Sequence, residues 1–282
     1  MYSLYIISSL AENSIQIMED NFDFAKDLLK LLLSPSGEVR TNFELSASKP
    51  QHISVLFTPS TTPETYLELE GYSHPTPQKG EDEFSQNLLG GMLSPFGRVQ
   101  TNLEIPVPPI LIDIWFSPAK NITIDSQELG MLGKMAKTDC VIVPFEHQLT
   151  PEDVRRSMQK LFRLHAEFPR LMNLEGISDD ELEGILPRLW VIAPSVEDNL
   201  LDGYRATQNK AWPDGVYSLG TAFLTEIIVI DKLPQNLDTM WLRILGSEEI
   251  RKKAINEVIS LPEDQRRKSV LELLTTWKQT EV

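Results

Sequence analysis

Asp113 sits inside the run Ile110-Leu111-Ile112-Asp113-Ile114-Trp115-Phe116. On an extended chain its same-face neighbours are Leu111 and Trp115, both apolar. Burying a carboxylate among such groups is costly unless a cation compensates it; the alternative is an acid at a strand end that reaches water. Further on, the apolar run Cys140 to Phe145 ends in Glu146-His147-Gln148. If the strand continues, Glu146 and Gln148 share a face. Asp113 and Glu146 together would then hold one divalent cation. Hard oxygen ligands suit Mg²⁺, which activates water and offsets phosphate charge. The remaining histidines, His52, His74 and His165, show no metal spacing, His147 reads as a cap or surface residue, and Cys140 reads as core. No glycine-rich phosphate loop, serine or cysteine nucleophile motif or zinc spacing occurs.

Elements must bring those acids together, and the sequence shows them as a tandem duplication. Phe24 to Leu45 aligns without gaps on Phe84 to Ile105, with 11 of 22 positions identical at an offset of 60. The match continues, after a one-residue slip, from Ile53–Pro59 to Ile112–Pro118. Each copy reads helix, strand, strand. Leucines at helical spacing give way to a Ser-Pro-x-Gly turn, then to strict alternation that puts Val39, Thr41, Phe43 and Leu45 on one face. Glu70 to Gly80 reads as a linker and Met1 to Ala11 as a first strand, not a signal peptide.

After Pro118 the periodicity predicts a helix over 126–137, the strand Cys140 to Phe145, and a helix from Pro151 to about Glu167. Thr150 is its N-cap, Pro151 its first residue, and acids fill its first turn. Its outer face carries Arg155, Arg156, Lys160 and Arg163, a surface for phosphate. A short helix after Ser178, a buried strand at Leu189–Ala193, a helix capped by Ser195, the strands Val216–Leu219 and Glu226–Ile230, and three C-terminal helices follow. The second copy and its sequel thus spell α-β-β-β-α-β, with one extra helix before the third strand.

Two resemblances bear on this pattern. Glu146-His147-Gln148-Leu149-Thr150-Pro151-Glu152-Asp153 resembles the EHQSxPD segment of transposase-like, recombination-promoting nucleases of the PD-(D/E)XK superfamily. Their core has the same α-β-β-β-α-β order. The resemblance implies Asp113 and Glu146 as Mg²⁺ ligands, Gln148 in the usual lysine position, and Asp82 or Glu83 on the first helix as an auxiliary acid. Gln148 is neutral, Pro144 removes a ladder donor from the third strand, and Phe24-Ala25-Lys26 lies in copy one whereas Asp113 lies in copy two. Over most of its length the chain is also similar to a family common in cyanobacteria. That family shares the FAK, LSP-x-GEV, PRLW and WLRILG segments and carries no settled function.

The composition bounds what such a fold would meet. Over 282 residues, 26 Lys and Arg stand against 41 Asp and Glu, a net charge of −15. That balance excludes a polybasic nucleic-acid coat and favours a protein partner. No apolar run is long enough to span a membrane, and a single cysteine fits a reducing cytoplasm. The fold expected is α/β, or α+β in looser terms: a mixed sheet flanked by helices. Its divisions are a first copy over 1–70, a linker over 71–80, the nuclease-like core over 81–235 and a helical segment over 236–282. Two functions follow as expectations. One is a metal-dependent phosphodiesterase. The other is a non-catalytic interaction or assembly protein using the nuclease-like fold as a scaffold.

Overall fold

The computed structural model describes residues 24–48, 51–59, 81–105, 107–119, 126–174 and 176–280. The expected first strand at 1–11 and the linker at 71–80 lie outside them. The chain divides into two compact units, Met1–Leu45 with Leu111–Val282, and Ser46–Ile110. These units cut across the two copies of the duplication.

The reason is an exchange of strands. Copy one supplies α1 (24–33), β1 (Gly37–Leu45) and β2 (Gln51–Pro59), and copy two supplies α2 (Glu81–Leu93), β3 (Gly97–Ile105) and β4 (Ile110–Pro118). Strands of one copy do not pair with each other. In the smaller unit β2 runs antiparallel to β3, from Gln51 opposite Ile105 to Pro59 opposite Gly97. In the larger unit β1 pairs with β4, and the Ala119 N–H donates to Ser36 O at 3.0 Å beyond the strand ends. The Ser-Pro-x-Gly turn explains itself there. A Cβ on Gly37 would lie 2.2 Å from the Ser117 carbonyl oxygen, so no side chain fits.

The larger unit is built on a seven-stranded mixed sheet of order β1-β4-β5-β6-β9-β8-β7. Its further strands are β5 (Cys140–Pro144), β6 (Arg188–Ala193), β7 (Thr207–Gln208), β8 (Val216–Ser218) and β9 (Thr225–Val229). β4 and β5 are antiparallel, while β5, β6 and β9 run parallel. Strands β5 and β9 are buried at every residue, as parallel strands covered on both faces require.

Helices cover both faces. Ile114, Phe116, Cys140, Ile142, Trp190, Ile192 and Ile228 share one core with α1, α3 (Ser126–Met135), α7 (Met240–Arg243), α8 (Glu248–Ser260) and α9 (Gln265–Thr280). The opposite face meets α4 (Pro151–Leu171), where the Trp115 and Phe168 rings stand 6.3 Å apart. Two short helices, α5 (Asp179–Glu183) and α6 (Leu200–Gly203), lie in the connections.

Three expectations need correction. Burial along β1 alternates as expected, but the facing does not: Asn42 takes a left-handed conformation (φ 50°) and its side chain accepts a bond from the buried Lys26 Nζ at 2.7 Å. Val39 therefore packs on the core with α1, while Phe43 turns to Trp115 on the α4 side. Secondly, Ser195 caps no helix; α6 begins after Asn199, also left-handed. Finally, α4 runs through Pro169 to Leu171, because a proline in the last turn meets an already formed helix.

The C-terminal helices are locked by a buried cation. Arg243 is fully buried, and its guanidinium donates to both Glu257 carboxylate oxygens, at 3.0 and 2.5 Å. It also donates to Asn236 O at 2.8 Å and Thr239 Oγ1 at 3.0 Å. Gly130, at φ +56°, lets α3 dock beside this turn, since a Cβ there would meet the Asp238 carbonyl at 2.3 Å. Among the described residues no helix is long and apolar enough to cross a membrane.

Removing Glu257 leaves Arg243 as an uncompensated buried charge, and removing Arg243 takes away the buried donor shared by Asn236, Thr239 and Glu257. Glu257→Ala and Arg243→Met are expected to cost about 3–5 kcal/mol each in denaturant unfolding. Arg243→Lys restores little, because an ammonium cannot make the two parallel bonds. A lysine variant as stable as wild type would show that charge alone suffices.

Candidate functional site

Asp113 projects from β4 on the side of Trp115, next to β5, whose register with β4 pairs Ile114 with Ile142. Its carboxylate has a protein cation. Lys160 reaches down from α4 and places Nζ 2.6 Å from Asp113 Oδ2, with the two side chains 25% and 16% exposed. The surroundings are aromatic. The Arg40 guanidinium lies 4.9 Å from the Trp115 ring centroid, and Phe43 meets Trp115 edge-on at 5.4 Å.

The Glu146-His147-Gln148 segment does not continue the strand. β5 ends at Pro144, and residues 145–149 leave as a loop held to the end of β6 and the segment after it. The Phe145 N–H donates to Ile192 O at 2.7 Å, and the Leu149 N–H to Ser195 O at 2.9 Å. Gln148 Nε2 donates to Val196 O at 2.9 Å, which occupies its amide in holding the loop. His147 Nε2 lies 3.1 Å from Asp153 Oδ2. Glu146 is exposed on the loop. The shared face expected for Glu146 and Gln148 is therefore absent, since the alternation it relied on stops at the proline, which has no N–H for the ladder.

The start of α4 anchors this loop as the sequence implies. Thr150 and Asp153 form a reciprocal capping box: the Asp153 N–H donates to Thr150 Oγ1, and the Thr150 N–H donates to Asp153 Oδ2 at 3.0 Å. The Thr150 hydroxyl also donates to Asp153 Oδ2, at 2.7 Å. Burial pushes the Asp153 carboxyl up, but the Thr150 bonds and the His147 contact outweigh it and hold the pKa below the usual aspartate value.

The basic face of α4 is largely paired within the fold. Lys160 is engaged by Asp113, and Arg156 bonds Glu152 one turn earlier. Arg155 is exposed, while Arg163 is half-buried. Of the auxiliary acids, Asp82 and Glu83 fall on α2 in the smaller unit, and their side chains lie outside the described residues. Among the described residues no group of three or more His, Cys, Asp or Glu is gathered in metal-holding geometry.

Sequence reasoning missed Lys160 as the partner of Asp113. A signal existed, since Lys160 lies two turns into a helix that must cross the sheet face carrying Asp113. Reading the helix surface as one basic patch hid it. Comparison of the chain with family models, with curated proteins and with solved structures returned no match in any of the three.

Thr150→Ala and Asp153→Asn each remove part of the capping box and are expected to cost about 1 kcal/mol, or about 2–4 °C in Tm. Because the folded Asp153 pKa is depressed, its contribution is complete at neutral pH and is lost as pH falls below the ordinary value of 3.8. Thermal melts between pH 7 and pH 2.5 should show the wild-type advantage over Asp153→Asn shrinking toward the acid end. An advantage that grows on acidification would mean that the carboxylate is not held by these bonds.

Proposed function

We propose that this chain is a PD-(D/E)XK-like protein that acts by binding and not by cleavage, a scaffold for protein–protein interaction or assembly. What supports the reading is that α1, β1, β4, β5, α4 and β6 of the larger unit occur in that chain order, with α3 added between β4 and β5 and the short α5 before β6. Strand exchange supports the reading further, because it unites Phe24-Ala25-Lys26 of copy one with Asp113 of copy two in one unit.

The observation that carries the non-catalytic side is the ion pair between Lys160 and Asp113. Asp113 already holds a cation at bonding distance, so a metal would have to displace an ammonium that α4 delivers. Gln148, in the position implied for a catalytic lysine, is spent on Val196 O and bears no charge to stabilise a forming hydroxide. The net charge of −15 opposes the approach of a nucleic acid.

A plasmid-nicking assay with Mg²⁺ or Mn²⁺ tests this on wild type, Asp113→Asn and Lys160→Met. All three proteins are expected to leave supercoiled DNA uncut, and none to retain DNA at low salt. Metal-dependent nicking by wild type that Asp113→Asn abolishes would overturn the proposal and establish a nuclease. The pair is mostly buried, so removing one partner costs stability, and a thermal melt of each variant before the assay separates loss of fold from loss of nicking.

A further inference from the structure

Where β6 and β9 begin, beside the short strands β7 and β8, the larger unit holds a cavity of about 460 Å³, the size of a small-molecule site. Three cations, Arg188, Arg205 and Lys210, line it against one acid, Glu226. In a chain of net charge −15 this is a local excess of positive charge. Glu226 is only 2% exposed. Its Oε1 accepts from the Arg188 guanidinium at 2.5 Å, but its Oε2 accepts from nothing among the described residues. A buried carboxylate oxygen left without a donor is costly. Arg188 already balances the charge, so Oε2 calls for a neutral donor; a further cation would stand beside the guanidinium and be repelled by it.

The other two cations are free. Arg205 and Lys210 are exposed, and neither side chain has a partner among the described residues. The neighbouring amides are engaged in the wall: Asn209 Nδ2 donates to Ser218 Oγ at 2.7 Å, and Gln208 Nε2 to Pro213 O at 3.1 Å. Backbone conformation marks the same place. Among the described residues five non-glycines are left-handed, and three are asparagines, which tolerate it. The other two, Arg205 (φ 49°) and Leu224 (φ 45°), both line this cavity. Strain in residues unsuited to it collects where ligands are held.

These groups narrow the ligand. A phosphate monoester carries about −1.5 to −2 charges at pH 7 and matches the two free cations. A hydroxyl is the neutral donor that Oε2 lacks. No lining residue is aromatic, so nothing there would stack a nucleobase. We propose that the cavity binds a small hydroxylated phosphate monoester, a sugar or polyol phosphate. Its phosphate sits on Arg205 and Lys210, and a hydroxyl donates to Glu226 Oε2. The site shares no residue with the Asp113–Lys160 pair, and the nicking assay and the titration below fail separately.

Calorimetric titration of the full chain with glucose 6-phosphate, glycerol 3-phosphate, inorganic phosphate and glucose is the test. At least one of the two monoesters is expected to bind about tenfold more tightly than inorganic phosphate, and glucose not to bind. Lys210→Ala and Arg205→Asn should each weaken the monoester about tenfold with the melting curve unchanged, since both positions are exposed and asparagine suits the left-handed backbone. Glu226→Gln leaves an oxygen for Arg188 and puts an N–H₂ donor in place of Oε2, so it should bring the monoester down to the affinity of inorganic phosphate. Failure of both monoesters to bind overturns the proposal, as does binding that neither charge variant weakens. Inorganic phosphate bound as tightly as the monoesters by wild type means an adventitious ion only, and overturns it too.

Discussion

Pairing of β1 with β4 is the constraint on which the larger unit rests. It joins a helix and strand from the first copy to a strand from the second, although the chain passes through the smaller unit between them. Without it α1 would have no sheet to cover, and Leu28, Leu29, Leu32 and Leu33, all at most 1% exposed, would lose their core. The same pairing puts Arg40 over Trp115 and Phe43 against it, on the face where Asp113 stands. Several local features serve this one contact. Gly37 is there because the Ser117 carbonyl leaves no space for a side chain, and left-handed Asn42 redirects Phe43 to the α4 side.

The sheet then needs closing on both sides. On the α4 side the closure is a single long helix fixed at its start by the Thr150–Asp153 box and tied along its length by Lys160. On the other side it is several helices, and the segment that turns between them is polar. Arg243 solves that problem by collecting the Asn236 carbonyl, the Thr239 hydroxyl and the Glu257 carboxylate around one guanidinium. Trp241 Nε1 and Arg266 extend the tie by bonding the Glu128 carbonyl and carboxylate on α3. A buried charge of this kind contributes little net stability as a complete set, but its removal is severe, so it fixes which turn the chain makes.

Local signals were legible, and long-range pairing was not. The duplication, the Ser-Pro-x-Gly stops, the Thr150 cap and the buried strands β6 and β9 follow from residue types a few positions apart, and the structure has them within a few residues. The exchange of β2 and β4 leaves no mark on local periodicity, because either pairing buries the same strand faces. Glu146 departs from expectation for a related reason: the last ladder bond runs from Phe145 to Ile192 of β6, and beyond it the backbone leaves period-two alternation before bonding Ser195. Asn42 was missed because a single left-handed residue reverses facing without altering composition.

Divergence between the copies has a physical direction. In copy one the apolar positions are covered, and the charges at Lys26, Asp27 and Lys30 remain around them. Lys26 is itself only 7% exposed and bonds Asn42. In copy two the apolar positions are exposed and the charges have gone. Solubility alone would favour the reverse, since an uncovered helix gains from charged residues on its flanks. Two glycines in succession, at 90 and 91, also weaken a helix that packing does not support. Beyond the acids that begin it, Glu81, Asp82 and Glu83, α2 combines exposed leucines with reduced intrinsic helix propensity. Copy two has thus kept the duplicated core pattern while altering what it presents to the solvent, and Asp113, supplied by the same copy, is held by Lys160 in the larger unit.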